Sequence, residues 1–201
     1  MFNKVAGADL YFGSYPSADS DIQRLHQAGV TQVINLQTEE EMRFYDIQVD
    51  EIQHSCAKRG MKFTKAPLKD FEEGEYCFDL FRIAQKIHHI VDVERQSLLI
   101  HCSSGITRSP TLALVYLCLF KKIEHWKNPH GSFSYLKDSC KEICPNMKAV
   151  ERTLKHNHGF QQQQQSRYGS NSKTSRQSQA SPLNNSKSPR HFDDRQSVSF
   201  K

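Results

Sequence analysis

One stretch of this chain combines residue types that can do covalent chemistry: His101, Cys102, Ser103, Ser104, Gly105, Ile106, Thr107, Arg108 and Ser109. Five residues separate the cysteine from the arginine, and an apolar helical pattern begins immediately afterwards. A loop of that length can curl until successive backbone N–H groups converge on one point, which makes an anion cradle. The positive end of the following helix reinforces it, and the planar fork of Arg108 can hold two phosphoryl oxygens together. Ser103, Ser104, Gly105, Ile106, Thr107 and Arg108 are therefore the candidate phosphate-binding set. A cysteine at the base of such a cradle shares its donors. Thiols at helix N-termini ionise at about 3.5 to 7.5 against roughly 8.5 when free, so Cys102 is expected to be a thiolate able to attack phosphorus. Gly105 is expected where the backbone must pass close to a ligand.

The elements around this stretch alternate, which predicts an α/β fold with helices covering a central sheet. Leu10 to Phe12 reads as a strand running into Gly13, and Ser17 to Gly29 carries Ile22, Leu25 and Ala28 at helical spacing. Val30, Val33, Ile34 and Leu36 form the next strand. Thr38 and Glu41 have the spacing of a capping box, Val49 to Ala57 reads as a helix ending near Gly60, and Met61 to Leu68 returns as a strand. An acidic loop follows around Asp70. A helical pattern runs from Phe78 to near Arg95, and Ser97 to His101 is a short buried strand. Ser109 and Pro110 suit the cap and first position of a helix so apolar that it should be the central one. Tyr135 to Cys144 and Asn146 to His156 are predicted as two further helices.

Charge and composition divide the chain. It has 201 residues and a formal charge of +5, but seven of its 27 Lys and Arg and only two of its 22 Asp and Glu lie in 160–201, so the preceding part balances. Residues 1–159 are expected to be one catalytic domain. Residues 160–201, starting with Gln161 to Gln165 and rich in Ser and Asn, hold too few apolar side chains to offset their ordering entropy and are expected to be a disordered tail. Ser181 and Ser188 each precede proline, which marks them for proline-directed kinases whose phosphates would nearly cancel the tail's charge. The basic residues there are not interleaved with aromatics, so sequence-specific nucleic-acid binding is not expected. No apolar run approaches a transmembrane span and no secretory signal is evident. Six cysteines in that context read as reduced thiols, and the cytoplasm or nucleus is the expected location. Cys140 and Cys144, like His88 and His89, lack a second pair at ligand spacing, so no metal is expected; nor is another cofactor.

The run from His101 to Ser109 resembles the HCxxGxxRS signature of the protein tyrosine phosphatase superfamily, in particular its compact dual-specificity branch, over most of residues 9–156. The resemblance implies the dual-specificity phosphatase-like fold, a central mostly parallel sheet flanked by helices. It also implies a phosphocysteine intermediate on Cys102, phosphoryl binding by Arg108, and a Ser109 hydroxyl that eases departure of the thiolate. Lys69, Asp70 and Phe71 resemble the loop that supplies the general acid, with Asp70 protonating the leaving oxygen and then serving as base for the hydrolytic water. Pro145 and Asn146 resemble the turn before the family's last helix.

The expected substrate is a phosphoprotein, carrying phosphotyrosine and phosphoserine or phosphothreonine. Ser103, Ser104, Ile106 and Thr107 are uncharged, whereas phosphoinositide phosphatases of the superfamily often carry lysines there. A phosphoglucan is the alternative. Gly13 to Pro16, Gly29 to Gln37, Phe44, Tyr45 and Ala66 to Phe71 resemble laforin and the plant starch phosphatases, in which aromatics stack on sugar rings. The loop departs from that branch's CxAGxGR pattern at Ser104 and Thr107. A non-catalytic phosphate-capturing module is a further alternative, against which intact Cys102, Arg108 and Asp70 argue. A rhodanese-like protein also uses a cysteine, five residues and an arginine; Gly105 and the Asp70 loop favour the phosphatase.

Overall fold

Every residue of the strand Leu98–Cys102 (LLIHC) is buried, which is the pattern of a strand covered on both faces. It forms the centre of a five-stranded sheet in a computed structural model that describes residues 2–69, 75–121 and 128–157. Asp70 and the segment 160–201, with Ser181 and Ser188, lie outside the described residues. The strands are β1 (Phe2–Lys4), β2 (Leu10–Ser14), β3 (Gln32–Asn35), β4 (Lys62–Lys65) and β5 (Leu98–Cys102), in the order β1-β2-β5-β3-β4. Only β1 runs antiparallel to its neighbour. The fold is thus α/β with a mostly parallel sheet, as the alternating pattern predicts; β1, three residues long, has too little periodicity to be read from sequence.

Alternation along β5 sends its side chains to two cores. Leu98, Ile100 and Cys102 join the larger one with Leu112 to Leu117 and with Leu80, Ala84 and Ile87, while Leu99 joins Val33, Ile22, Leu25, Ile52 and Cys56 in the smaller. Helices α1 (Asp19–Gln27) and α3 (Val49–Lys58) therefore cover one face; α4 (Glu75–His88), α5 (Arg108–Phe120) and α6 (Pro129–Ser139) lie on the other. Residues Arg108 to Leu117 of α5 are all buried, so this is the central helix. Helix α2 (Glu39–Phe44) is short and starts with the Thr38/Glu41 capping box, both reciprocal bonds being present.

Several boundaries differ from the periodicity: the strand expected over Met61 to Leu68 covers only Lys62–Lys65, and the helix expected from Phe78 starts at Glu75. The pattern read as one helix to Arg95 leaves α-geometry at His89 for a turn of π-helix, His89–Val93. In it Asp92 meets His88 Nδ1 (2.8 Å) and accepts from Tyr116 Oη (2.9 Å) and Lys121 Nζ (2.6 Å), long-range partners that no local pattern reveals. The helix expected over Tyr135 to Cys144 instead occupies Pro129–Ser139, because Asn128 caps it with its side chain and Pro129 supplies the first position. Residues 140–146 are turn and irregular chain, and a last helix, α7, covers 147–157. Helix α5 begins at Arg108 rather than after Ser109, with Thr107 at the N-cap.

Candidate active site

The Cys102 side chain stands at the carboxyl end of β5, 2% exposed, where the parallel register pairs Cys102 with Ser14 and His101 with Asn35. Ligand sites of parallel sheets form beyond such strand ends. The chain then turns through Ser103 to Thr107 and enters α5, whose first turn receives no side-chain cap. The Sγ atom of Cys102 accepts the Gly105 N–H at 3.3 Å and lies 3.5 Å from Ser109 Oγ, which donates to the Gly13 carbonyl at 3.0 Å. Ser109 thus has two acceptors within reach of one proton, a backbone carbonyl and the sulfur.

Gly105 has φ +77, and a Cβ there would lie 2.4 Å from Ser14 N and 2.5 Å from Gly13 C. The close approach is therefore to the end of β2, a partner 91 positions away that the sequence does not disclose. Ser104 Oγ accepts the Ile106 N–H (3.2 Å), and Tyr15 N donates to the Ser103 carbonyl (3.4 Å). The outer side of the loop is clamped by the segment before α7. Cys144 N donates to the Ile106 carbonyl (2.9 Å), while Thr111 Oγ1 donates to the Thr107 carbonyl (2.6 Å) and accepts from Asn146 N (2.8 Å). This gives the Pro145–Asn146 turn a physical task, holding the loop's last residues.

Arg108 is 4% exposed, and its guanidinium is surrounded by acceptors. Nη1 donates to Glu41 Oε2 (2.6 Å) and to the carbonyls of Leu68 (3.1 Å) and Leu36 (3.3 Å); Nη2 donates to Glu41 Oε1 and to Ser103 Oγ (3.4 Å). The Glu41–Arg108 pair is a two-pronged fork, the geometry for which arginine is suited. Burial raises the Glu41 carboxyl, but hydrogen bonds from Arg108 and the Thr38 N–H outweigh it and hold the group below the ordinary glutamate value. Ser103 Oγ donates to Glu41 Oε1 and accepts from Gln37 Nε2, both at 3.0 Å.

The spacing marks Glu41 only as a capping residue, and no local pattern singles out Gln37, Leu36 or Leu68 for the site. Their bonds cross 40 to 72 positions of sequence. The available signal was the placement of Gln37 and Glu41 just beyond β3, at the same sheet edge as Cys102. Asp70 falls outside the described residues; Leu68, two positions before it, gives its carbonyl to Arg108. His101 is 1% exposed, and burial lowers its imidazole to about 4, so it is neutral, with Nδ1 3.4 Å from the Cys102 carbonyl.

Beside the fork lies a cleft of about 320 Å³ lined by Thr38, Glu39, Glu40, Pro67, Leu68 and Lys69, together with Tyr76 and Asp79. At the end of α2, its last residue Phe44 and the C-cap Tyr45 are 81% and 59% exposed and meet edge to face at 5.0 Å. Among the described residues no group of three or more His, Cys, Asp or Glu is placed to hold a metal ion, and no helix is long and apolar enough to cross a membrane.

Among known proteins, the chain is 24% identical over 137 residues to "Phosphoglucan phosphatase LSF1, chloroplastic" of Arabidopsis thaliana, covering 63% of this chain and 21% of that protein. It is 28% identical over 101 residues to "Tyrosine-protein phosphatase vhp-1" of Caenorhabditis elegans, covering 50% and 15%. The chain thus spans less than a third of the length of these relatives. Among solved structures, the fold is similar to the crystal structure of PTPMT1, with a TM-score of 0.63 at 16% identity over 81% of this chain and 99% of that one. It is also similar to the human tyrosine phosphatase-like serine/threonine/tyrosine-interacting protein, with a TM-score of 0.60 at 15% identity over 79% and 97%. The family model described as "Dual specificity phosphatase, catalytic domain" matches residues 10–158, a span that contains the cysteine, the loop, the arginine and the clamp, and the chain therefore belongs to the dual-specificity phosphatase catalytic-domain family.

Proposed function

We propose that this chain hydrolyses phosphate monoesters of proteins, on tyrosine and on serine or threonine, through a phosphocysteine intermediate. The observation that carries the reading is Cys102 Sγ at the base of a tight loop, receiving the Gly105 N–H, with Ser109 Oγ beside it and the Arg108 fork fixed at the loop's end. Cys102 attacks phosphorus as the S–P bond forms and the bond to the leaving oxygen breaks. Arg108 and the N–H groups of Ser103 to Thr107 hold the equatorial oxygens. Asp70 gives its proton to the leaving oxygen, then takes one from the water that cleaves the S–P bond. As the sulfur regains negative charge, the Ser109 proton turns from the Gly13 carbonyl towards it.

Purified protein is expected to release phosphate from an aryl phosphate and from phosphotyrosine and phosphothreonine peptides, with Cys102→Ser inactive. Acid quenching of the wild type should trap a phosphorylated enzyme absent from that variant. Turnover by Cys102→Ser, or failure to trap the species under burst conditions, would refute the reading. Asp70→Ala should slow poor leaving groups more than good ones; equal slowing removes Asp70 as the acid.

A glucan phosphate is the second reading, favoured by the exposed Phe44–Tyr45 pair and by relatives named as phosphoglucan phosphatases. Aromatic faces stack on sugar rings. On phosphorylated amylopectin, Phe44→Ala and Tyr45→Ala should then lower turnover while leaving aryl phosphate hydrolysis intact.

A further inference from the structure

The hydroxyl of Ser103 is bonded in a way that leaves no freedom in the direction of its proton. A serine hydroxyl has one proton and two lone pairs. Its three neighbours are Glu41 Oε1, which as a carboxylate only accepts, Arg108 Nη2, which only donates, and the Gln37 amide. The proton therefore goes to Glu41, and Gln37 must present its nitrogen. Turned over, that amide would set its oxygen against a hydroxyl oxygen with no proton left to give. Gln37 is 1% exposed, and in the required orientation its Oε1 atom has no hydrogen-bond partner among the described residues. Its backbone is anchored as well, since Gln37 N donates to Asn35 Oδ1 at 2.8 Å.

We propose that Gln37 and Ser103 are positioning residues that act through Glu41 to fix the plane of the Arg108 guanidinium for the phosphoryl group. The inference rests on the reading of Arg108 as the phosphoryl ligand. In a two-pronged arginine–carboxylate pair, the plane of one group sets the plane of the other. Both oxygens of Glu41 are tied from outside that pair: Oε2 accepts the Thr38 N–H at 3.0 Å and Oε1 accepts the Ser103 hydroxyl at 3.0 Å. The first tie belongs to the helix cap and would serve any short helix. The second is specific to the loop, and the buried Gln37 nitrogen holds it in direction. Ser103, the residue after Cys102, thus joins the loop to the carboxylate that steers the arginine.

The test compares Ser103→Ala, Gln37→Met and the double variant with the wild type. Readouts are kcat and KM on an aryl phosphate, competitive inhibition by inorganic phosphate, and the rate of Cys102 alkylation by iodoacetamide. Ser103→Ala is expected to lower kcat/KM and weaken phosphate inhibition by about 10- to 150-fold, the range for losing a hydrogen bond to a charged group, and Gln37→Met, which loses a neutral bond, by about 2- to 12-fold. The alkylation rate should stay that of the wild type, because the contacts of the sulfur are untouched. The double variant should be no worse than Ser103→Ala, since Gln37 acts only through that hydroxyl. Wild-type kcat/KM and phosphate inhibition in both single variants overturn the proposal. So does a double effect equal to the two singles combined, or a parallel fall in alkylation showing that the whole loop has moved. Failure of the phosphatase reading is seen separately, as a wild type that does not turn over.

Discussion

Replacing Gly105 with alanine should damage the site far more than the same change at Gly60. Two costs arise there. A residue with a Cβ at φ +77 is strained by about 1–2 kcal/mol. The new methyl would also lie 2.4 Å from Ser14 N and 2.5 Å from Gly13 C, where ordinary contact begins at 3.4 Å. Those atoms are backbone of β2, tied to β5 by the parallel ladder and to Ser109 through the Gly13 carbonyl, so the loop must yield by roughly 1 Å. The overpacking adds about 1–3 kcal/mol. A displacement of about 1 Å in catalytic groups can lower turnover some 100-fold. Gly60 is the control, since it has φ +68 but no atom within 4 Å of a built Cβ. Gly60→Ala should lose about 1–2 kcal/mol and keep its activity. Gly105→Ala should lose about 2–5 kcal/mol and at least about 100-fold in kcat/KM. Thermal melting and aryl phosphate kinetics on the two variants decide it. If Gly105→Ala turned over like Gly60→Ala, the steric account of the loop would be wrong.

Other perturbations probe the surrounding groups. Glu41→Gln keeps the cap and removes one charge of the buried fork, and should cost about 1–3 kcal/mol at neutral pH by thermal melting. Because the Glu41 carboxyl is depressed, its contribution is present above the ordinary value of 4.5 and is lost as pH falls through the folded-state value, so the two melting curves should converge in acid. His101 titrates at about 4 when folded against 6.5 when free, so the unfolded chain binds a proton the folded one refuses. Stability should fall as pH drops from 6.5 towards 4, and His101→Gln should flatten that slope in denaturant titrations; an unchanged slope counts against a neutral buried imidazole. Thr111→Val removes the hydroxyl bond to the Thr107 carbonyl, which keeps the Thr111 N–H, and takes the acceptor from the Asn146 N–H; it should cost about 1–3 kcal/mol in urea unfolding and raise KM, and a wild-type KM would show that the clamp does not shape the loop.

Much of the architecture is written in local patterns. The alternation of periods gave the α/β class, the unbroken apolar face of residues 112–120 identified the central helix, and Thr38 with Glu41 forms the cap that its spacing indicates. The order His101 to Ser109 is enough to place a cysteine, a tight loop and an arginine together, because a strand, a short loop and a helix are consecutive and their geometry is local. Helix limits set by capping side chains, as at Asn128 and Pro129, or by distant ionic partners, as at Asp92, were less legible.

The tertiary structure alone decided what surrounds those residues. The fork on Arg108 comes from Glu41, the wall against Gly105 from Gly13 and Ser14, and the outer clamp from Cys144 and Asn146. Each is a contact between elements whose proximity depends on strand order. Chemistry borne by neighbours in the chain can be read from residue types. Chemistry tuned by residues 67 to 92 positions apart exists only once β2, β3 and β5 lie side by side with their carboxyl ends at one edge.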